Sequence, residues 1–297
     1  MSRVKRSIRA GDLSEVISLI HDYEETVYGK VQTSLKMIRD LVLKTGREDK
    51  VGLWIHDVLK GVSFLTHRDH RLPSLLLTVR DKGTEGYIED LIESLIESGK
   101  RWKAGSAEEK SIIISANTPE ERTAFEKAGF SAGRHWHQMS RELTGMSVPD
   151  DPYLVRPFIP GSDEHALYEA YETIFADHYD YHPSTWEEFN QRFFTPEVST
   201  DQWLLMIDKE NVIGFVLSRA DDETRIGEIS HLGMKREWRR RGLGRQLLHR
   251  TFDGLHRAGM THAALLVDSD SPTRAALLYK KAGMTIQRTF TRYDLSL

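Results

Sequence analysis

Two stretches of this chain repeat each other at a fixed offset, and nothing else in the sequence restricts the fold as strongly. Phe125-Glu126-Lys127-Ala128-Gly129-Phe130 reappears as Tyr279-Lys280-Lys281-Ala282-Gly283-Met284, so that Gly129 and Gly283 lie 154 positions apart. That offset is far longer than a solenoid repeat and close to the length of an ordinary domain, so 297 residues hold two copies of one fold. The echo continues upstream. Trp54 to Asp57 followed by Gly61 to Leu65 matches Trp203 to Asp208 followed by Gly214 to Leu217, a hairpin pattern in both halves, and Arg6 to Tyr28 matches Arg156 to His178 as a short strand, a turn and an amphipathic helix. Each half closes on an alternating strand, Arg134 to Leu143 in the first and Arg288 to Leu297 in the second. The predicted order in each half is strand, helix, helix, hairpin, strand, helix, strand, helix, strand, a mixed α/β sheet covered by helices. Thr144 to Asp151 has the Gly, Ser and Pro content of a linker, which gives domains 1–147 and 148–297.

Composition narrows the chemistry. With no cysteine there is no disulfide, no thiolate metal site and no acyl-cysteine intermediate, so any group transfer must be direct or use another nucleophile. A net charge of -4 argues against a nucleic-acid binder. No apolar run reaches the ~18 residues of a membrane span, and Met1-Ser2-Arg3-Val4-Lys5-Arg6 opens no secretory signal, so a cytoplasmic protein without a membrane partner is expected. The oligomeric state is not legible. His178 and His182 have helical ligand spacing, yet Pro183 follows at once and no second ligand cluster appears, so no metal is expected.

The strongest local signal is a predicted strand, Ile226 to Met234, running into Arg239-Arg240-Arg241-Gly242-Leu243-Gly244-Arg245. Leu243, Leu247, Leu248, Phe252 and Leu255 then recur at helical spacing, which puts the glycines at a helix N-terminus. Free backbone N–H groups, the positive end of the helix dipole and clustered arginines together make an anion site that suits a pyrophosphate. A third glycine in dinucleotide spacing is missing, and no Gly-Lys-Ser/Thr follows, so the motif is neither a dinucleotide fingerprint nor a P-loop. The first half has lost the arginines at the matching place: Asp81 to Tyr87 precedes a helix that carries Glu89 and Asp90 near its start, and the carboxylates would repel a phosphate. That half is read as a degenerate copy.

Arg239-x-x-Gly242-x-Gly244 resembles the signature of the GNAT acyltransferase superfamily, and Ala275-x-x-Leu278-Tyr279-x-x-x-Gly283 resembles that family's next helix. The C-terminal half, with Asp177-His178-Tyr179 after its first helices, looks most like the tandem-domain GNAT proteins related to mycothiol synthase, a resemblance that is strong from about 200 to 285 and one of architecture alone before 145. The resemblance implies two mostly antiparallel twisted sheets, each with a splayed central strand pair and helices on both faces. It implies acetyl-CoA as cosubstrate, with Leu232, Gly233 and Met234 offering backbone to the pantetheine arm and Arg239, Arg240, Arg241, Gly242, Leu243, Gly244 and Arg245 cradling the phosphates. Ser271 stands where the family often has Asn before its second motif, and Met284 where Phe is usual. Glu228 would take the proton of an acceptor amine and Tyr279 would protonate the departing sulfur; an edge-strand salt bridge and a core aromatic are the bland alternatives. Period two puts Glu228 with Ser230 and Leu232 on one face and His231 on the other, as a packing residue. Asp177, Tyr179 and Tyr181 are expected to line the pocket for a small-molecule amine. The function implied is N-acetyl transfer to an amine of a small molecule or peptide; acetylation of a mycothiol-type aminosugar conjugate and non-catalytic acyl-CoA binding are the alternatives.

Overall fold

An arginine and an aspartate set the entry to each half in the same way. Arg6 donates to Asp12 through both terminal nitrogens (2.7 and 2.9 Å), and Arg156 does so to Asp163 (2.5 and 2.8 Å). In each case a carboxylate oxygen also caps a nearby backbone N–H, of Arg9 or of Ile159. The Arg partner holds both carboxyls below the usual range. These contacts belong to a computed structural model that describes residues 3–297 apart from 69–70, 81–83, 85, 107–108, 145–152, 179–180 and 272. Most of the predicted linker therefore lies outside the described residues.

The first half runs β1 (Arg3–Ser7), α1 (Leu13–Tyr28), α2 (Leu35–Lys44), β2 (Lys50–Ile55), β3 (Val58–Leu65), β4 (Arg71–Thr78), α3 (Tyr87–Ala104), β5 (Ser111–Ala116), α4 (Pro119–Lys127) and β6 (Ser131–Glu142). The second repeats the order as β7 (Leu154–Pro157), α5 (Glu164–Phe175), α6 (Trp186–Phe193), β8 (Leu204–Asp208), β9 (Asn211–Asp221), β10 (Ile226–Met234), α7 (Leu243–Arg257), β11 (His262–Asp268), α8 (Ala275–Lys281) and β12 (Thr285–Ser296). Local chemistry sets several helix starts. Thr118 and Glu121 form a capping box with Pro119 in the first turn of α4, and Thr185 and Glu188 form another at α6.

Two compact units result, and they differ from contiguous halves in one respect. The first comprises residues 1–136 with Thr289–Leu297, and the second comprises His137–Arg288. Within the first, strands follow β1-β2-β3-β4-β5 and then the end of β12, whose Thr291 to Ser296 pair antiparallel with Ala116 to Ser111 of β5. The second unit orders β7-β8-β9-β10-β11 and then the end of β6, anchored where the Leu143 N–H donates to the Thr261 carbonyl (2.8 Å). Each unit is thus closed by the last strand of the other repeat. Tyr293 shows why the exchange is specific: it is 2% exposed, its ring lies edge-on to Phe125, and its hydroxyl donates to Glu126 (2.8 Å).

Among the pairs β1-β2-β3-β4-β5-β12 and β7-β8-β9-β10-β11, pairing is antiparallel except for β4 with β5 and β10 with β11. These parallel pairs hold for four residues only, Arg71 to Ser74 and Ile226 to Ile229, after which the strands part. The splay expected from the resemblance is therefore present in both units. Apolar side chains fill both faces of each sheet. In the second unit Leu243, Leu247, Leu248, Phe252 and Leu255 of α7 pack on one face and the aromatics of α5 and α6 on the other. Among the described residues no helix is long and apolar enough to cross a membrane.

Candidate active site

The second unit's site begins where β10 leaves β11. Glu228 pairs with Arg219 of β9 and Ile229 with Ser218, but His231 pairs with Leu217, so Ser230 is an extra residue in the ladder. Such a bulge shifts the alternation by one. It corrects the period-two expectation: His231 shares Glu228's face, while Leu232 and Met234 turn to the α7 side, where both join the core. The beginning of β10 stays bound to both neighbours. Among the described residues, Leu232 to Met234 pair with β9 alone, which leaves the other edge open to a strand-like ligand.

At the end of β10 the chain turns through Arg240, with φ +61°, and Gly242, with φ +84°, into α7. A Cβ at Gly242 would meet nothing within 4 Å, so the space over this helix start is open. The helix has no side-chain cap, and its first backbone bonds run from the Arg245 and Gln246 N–H groups to the Gly242 carbonyl. The N–H groups of Leu243 and Gly244 therefore point out of the helix end, ready for an anion. Arg240, Arg241 and Arg245 are exposed around them, and Arg241 lies over the Trp238 ring at 5.0 Å.

Arg239 does something else. Its Nη1 and Nη2 hold Asp177 at 2.6 and 3.2 Å, Nη2 also donates to the Ile174 carbonyl at the end of α5, and Nε donates to the Met234 carbonyl. The side chains of Arg239 and Asp177, expected on the phosphate and on the acceptor, instead engage each other and tie α5 to the end of β10. Arg239 also pulls the Asp177 carboxyl below its ordinary range. A carboxyl lowered in the fold adds stability above its unfolded pKa and loses it as pH falls through the lowered value, so the clamp is complete at neutral pH.

The other expected residues divide. Glu228 is half-exposed and accepts from Arg219 Nε (2.9 Å) and Nη2 (2.5 Å), both on Oε2. The predicted salt bridge and the predicted base are thus the same residue, with Oε1 accepting nothing among the described residues. Tyr279 is 8% exposed on α8, and burial pushes its hydroxyl up to about 12, so it carries its proton at neutral pH. Ser271 is buried in the turn after β11, where its hydroxyl meets that of Thr273 at 2.9 Å. Tyr181 donates to Glu172 (2.5 Å), a carboxylate that also accepts from Ser184, so this hydroxyl anchors the loop rather than presenting itself to a ligand. Tyr179 lies outside the described residues. Arg219 was not singled out from sequence. Its signal was there: in a hairpin with a four-residue turn, 219 and 228 face each other with opposite charges.

The first unit's counterpart is closed. Gly86, with φ +82°, starts α3 as Gly242 starts α7, but a Cβ there would meet Arg3 Nη1 at 2.8 Å. Arg3 is held by Asp90 (2.9 Å) and lies over the Tyr87 ring, so the chain's own guanidinium covers the helix start.

Residues 165–284 match the model of the acetyltransferase (GNAT) family. The chain is 29% identical to mycothiol acetyltransferase of Stackebrandtia nassauensis over 82% of its own length and 76% of that protein's. It is 28% identical to the Streptomyces coelicolor mycothiol acetyltransferase over 56% of its length, and spans 54% of that relative. Among solved structures, a GCN5-related N-acetyltransferase from Sphaerobacter thermophilus superposes with a TM-score of 0.86 at 22% identity, covering 99% of this chain and 95% of that one. A tandem GNAT protein from the clavulanic acid biosynthesis pathway gives 0.74 at 11% identity, with 99% and 98% covered. At these identities the structures speak for the fold.

Proposed function

We propose that this chain, whose residues 165–284 match the model of the GNAT acetyltransferase family, moves the acetyl group of acetyl-CoA directly to the amine of a small-molecule acceptor. The observation that carries the reading is the uncapped start of α7 beside the open edge of β10, with Arg240, Arg241 and Arg245 around it. A pyrophosphate would take the N–H groups of Leu243 and Gly244 and the charge of the exposed arginines. The pantetheine arm would add to β10 along Leu232, Gly233 and Met234. Backbone N–H donors on that edge would polarise the thioester carbonyl as negative charge develops on its oxygen.

Glu228 would take the proton of the arriving ammonium through Oε1, directly or across a water. The neutral amine attacks the carbonyl carbon, its nitrogen sheds the remaining excess proton to water, the C–S bond breaks, and Tyr279 gives its proton to the sulfur and regains one from solvent. The acceptor class to test first is an aminosugar conjugate of the mycothiol type, because the Stackebrandtia and Streptomyces relatives carry that name. The deciding experiment mixes the protein with acetyl-CoA and a panel of aminosugars, amino acids, polyamines and peptide N-termini, and follows thiol release with mass identification of the product. Acetyl-CoA should bind with a stoichiometry near one in calorimetric titration. Two sites, or thiol release without any acetylated amine, would defeat the reading.

A paired substitution tests which unit holds the cosubstrate. A Cβ at Gly244 meets only Leu278 at 3.4 Å and Met234 at 3.8 Å, ordinary contact distances, so Gly244→Asp should fold. Its carboxylate at the helix start should weaken acetyl-CoA more than tenfold. Gly86→Asp should lower stability by about 1 kcal/mol, because an L side chain is strained at that positive φ, and leave affinity nearly unchanged. Calorimetry on both variants checks this, and equal losses of affinity would overturn the assignment of the binding site to the second unit.

A further inference from the structure

The clamp at Arg239 joins two places that the reaction has to bring together. An arginine has five N–H groups, and four of this one's are engaged within the fold. Nε donates to the Met234 carbonyl (3.0 Å), Nη1 and Nη2 each donate to one oxygen of Asp177 (2.6 and 3.2 Å), and Nη2 also donates to the Ile174 carbonyl (3.0 Å). Among the described residues, one Nη1–H is left for any other partner. The forked grip on the carboxylate fixes its direction as well as its distance.

Each of the three acceptors marks a different part of the site. Met234 ends β10, along whose open edge the pantetheine arm would lie. Ile174 is in the last turn of α5 and is pressed on the same strand: a Cβ at Gly233 would meet Ile174 Cγ2 at 2.3 Å, so a glycine there lets the helix end come this close. Asp177 lies in the loop 176–185, which leads to α6 and carries the residues expected to face the acceptor. Further along, that loop is tied back to α5. Glu172 accepts from the Tyr181 hydroxyl (2.5 Å) and from the N–H and hydroxyl of Ser184 (3.1 and 2.9 Å), and the Tyr168 hydroxyl donates to the Ser184 carbonyl (2.8 Å). The beginning of the loop thus takes its position from the strand that would hold the cosubstrate.

We infer that Arg239 is a positioning residue for the acceptor: through Asp177 it sets the loop 176–185 against the strand that holds the thioester, so that the two substrates bind with positive coupling. The inference rests on acetyl transfer to an amine as proposed above. A pantetheine arm added to β10 steadies the Met234 carbonyl, the carbonyl steadies the guanidinium, and the guanidinium steadies Asp177. Such coupling is reciprocal, so an ordered loop also favours the cosubstrate, and its usual size is ~5–150-fold in affinity.

The test uses the full chain, acetyl-CoA and an acceptor that it acetylates. Asp177 is half-exposed, so Asp177→Asn and Arg239→Gln should both fold. Each should raise the acceptor KM by about fivefold or more while kcat stays within about threefold of wild type. The double variant should be no worse than either single one, because both remove the same link. Acetyl-CoA affinity in calorimetric titration should stay close to that of wild type in all three. Hydrogen exchange needs no acceptor: acetyl-CoA should slow exchange at the Asp177, His178 and Tyr181 amides of wild type and leave it unchanged in Asp177→Asn. A tenfold loss of acetyl-CoA affinity in Arg239→Gln would return the guanidinium to the phosphate. That result, additive losses, an unchanged acceptor KM or exchange that acetyl-CoA does not slow overturns the coupling while leaving acetyl transfer standing. A wild-type chain that acetylates no amine overturns both.

Discussion

Glu228→Gln should lower turnover by about 10² to 10⁴ at neutral pH, the range for removing one general base, with little change in acetyl-CoA affinity. The substitution keeps the shape of the side chain and removes its charge, so Arg219 loses an ion pair across the β9–β10 hairpin. That pair is exposed on both sides, and its loss should cost little stability. Single-turnover rates with a validated acceptor separate the chemical step from binding. If the variant turns over like the parent, Glu228 is only the hairpin's salt bridge and the first proton leaves by another route.

Removing Thr289–Leu297 should unfold the first unit, even though these residues lie at the opposite end of the chain from it. They supply its last strand, paired along Thr291 to Ser296 with β5, and they bury Tyr293 against Phe125. Burial of one such aromatic contributes about 1.5–3 kcal/mol. The lost strand pairing also leaves β5 an open, apolar edge. Together these are comparable with the whole stability of a domain, about 5–15 kcal/mol. Limited proteolysis of a chain ending at Arg288 should cut within residues 3–136, and a peptide of residues 289–297 added in trans should restore protection. A truncated chain that resists protease and melts like the parent would show that the exchanged strand is dispensable.

The repeat, the element order and the helix start at Gly242 were all legible in the sequence, because each rests on a short-range rule. Period 3.6 marks α7 through its five leucine and phenylalanine positions, and glycine marks a backbone that needs φ above zero. The anion site in one half and its loss in the other were also legible, since the arginines either follow the strand or do not. Three things were decided only by the tertiary structure. The bulge at Ser230 turned His231 to the face of Glu228, and no local pattern separates that strand from a regular one. Arg239 is held by Asp177, 62 residues earlier, and by two carbonyls that meet only in the fold. The last strands were exchanged, with β5 paired to a strand at the far end of the chain. The sequence lists the groups and their near neighbours; which distant donor reaches which acceptor is settled by the packing that brings them together.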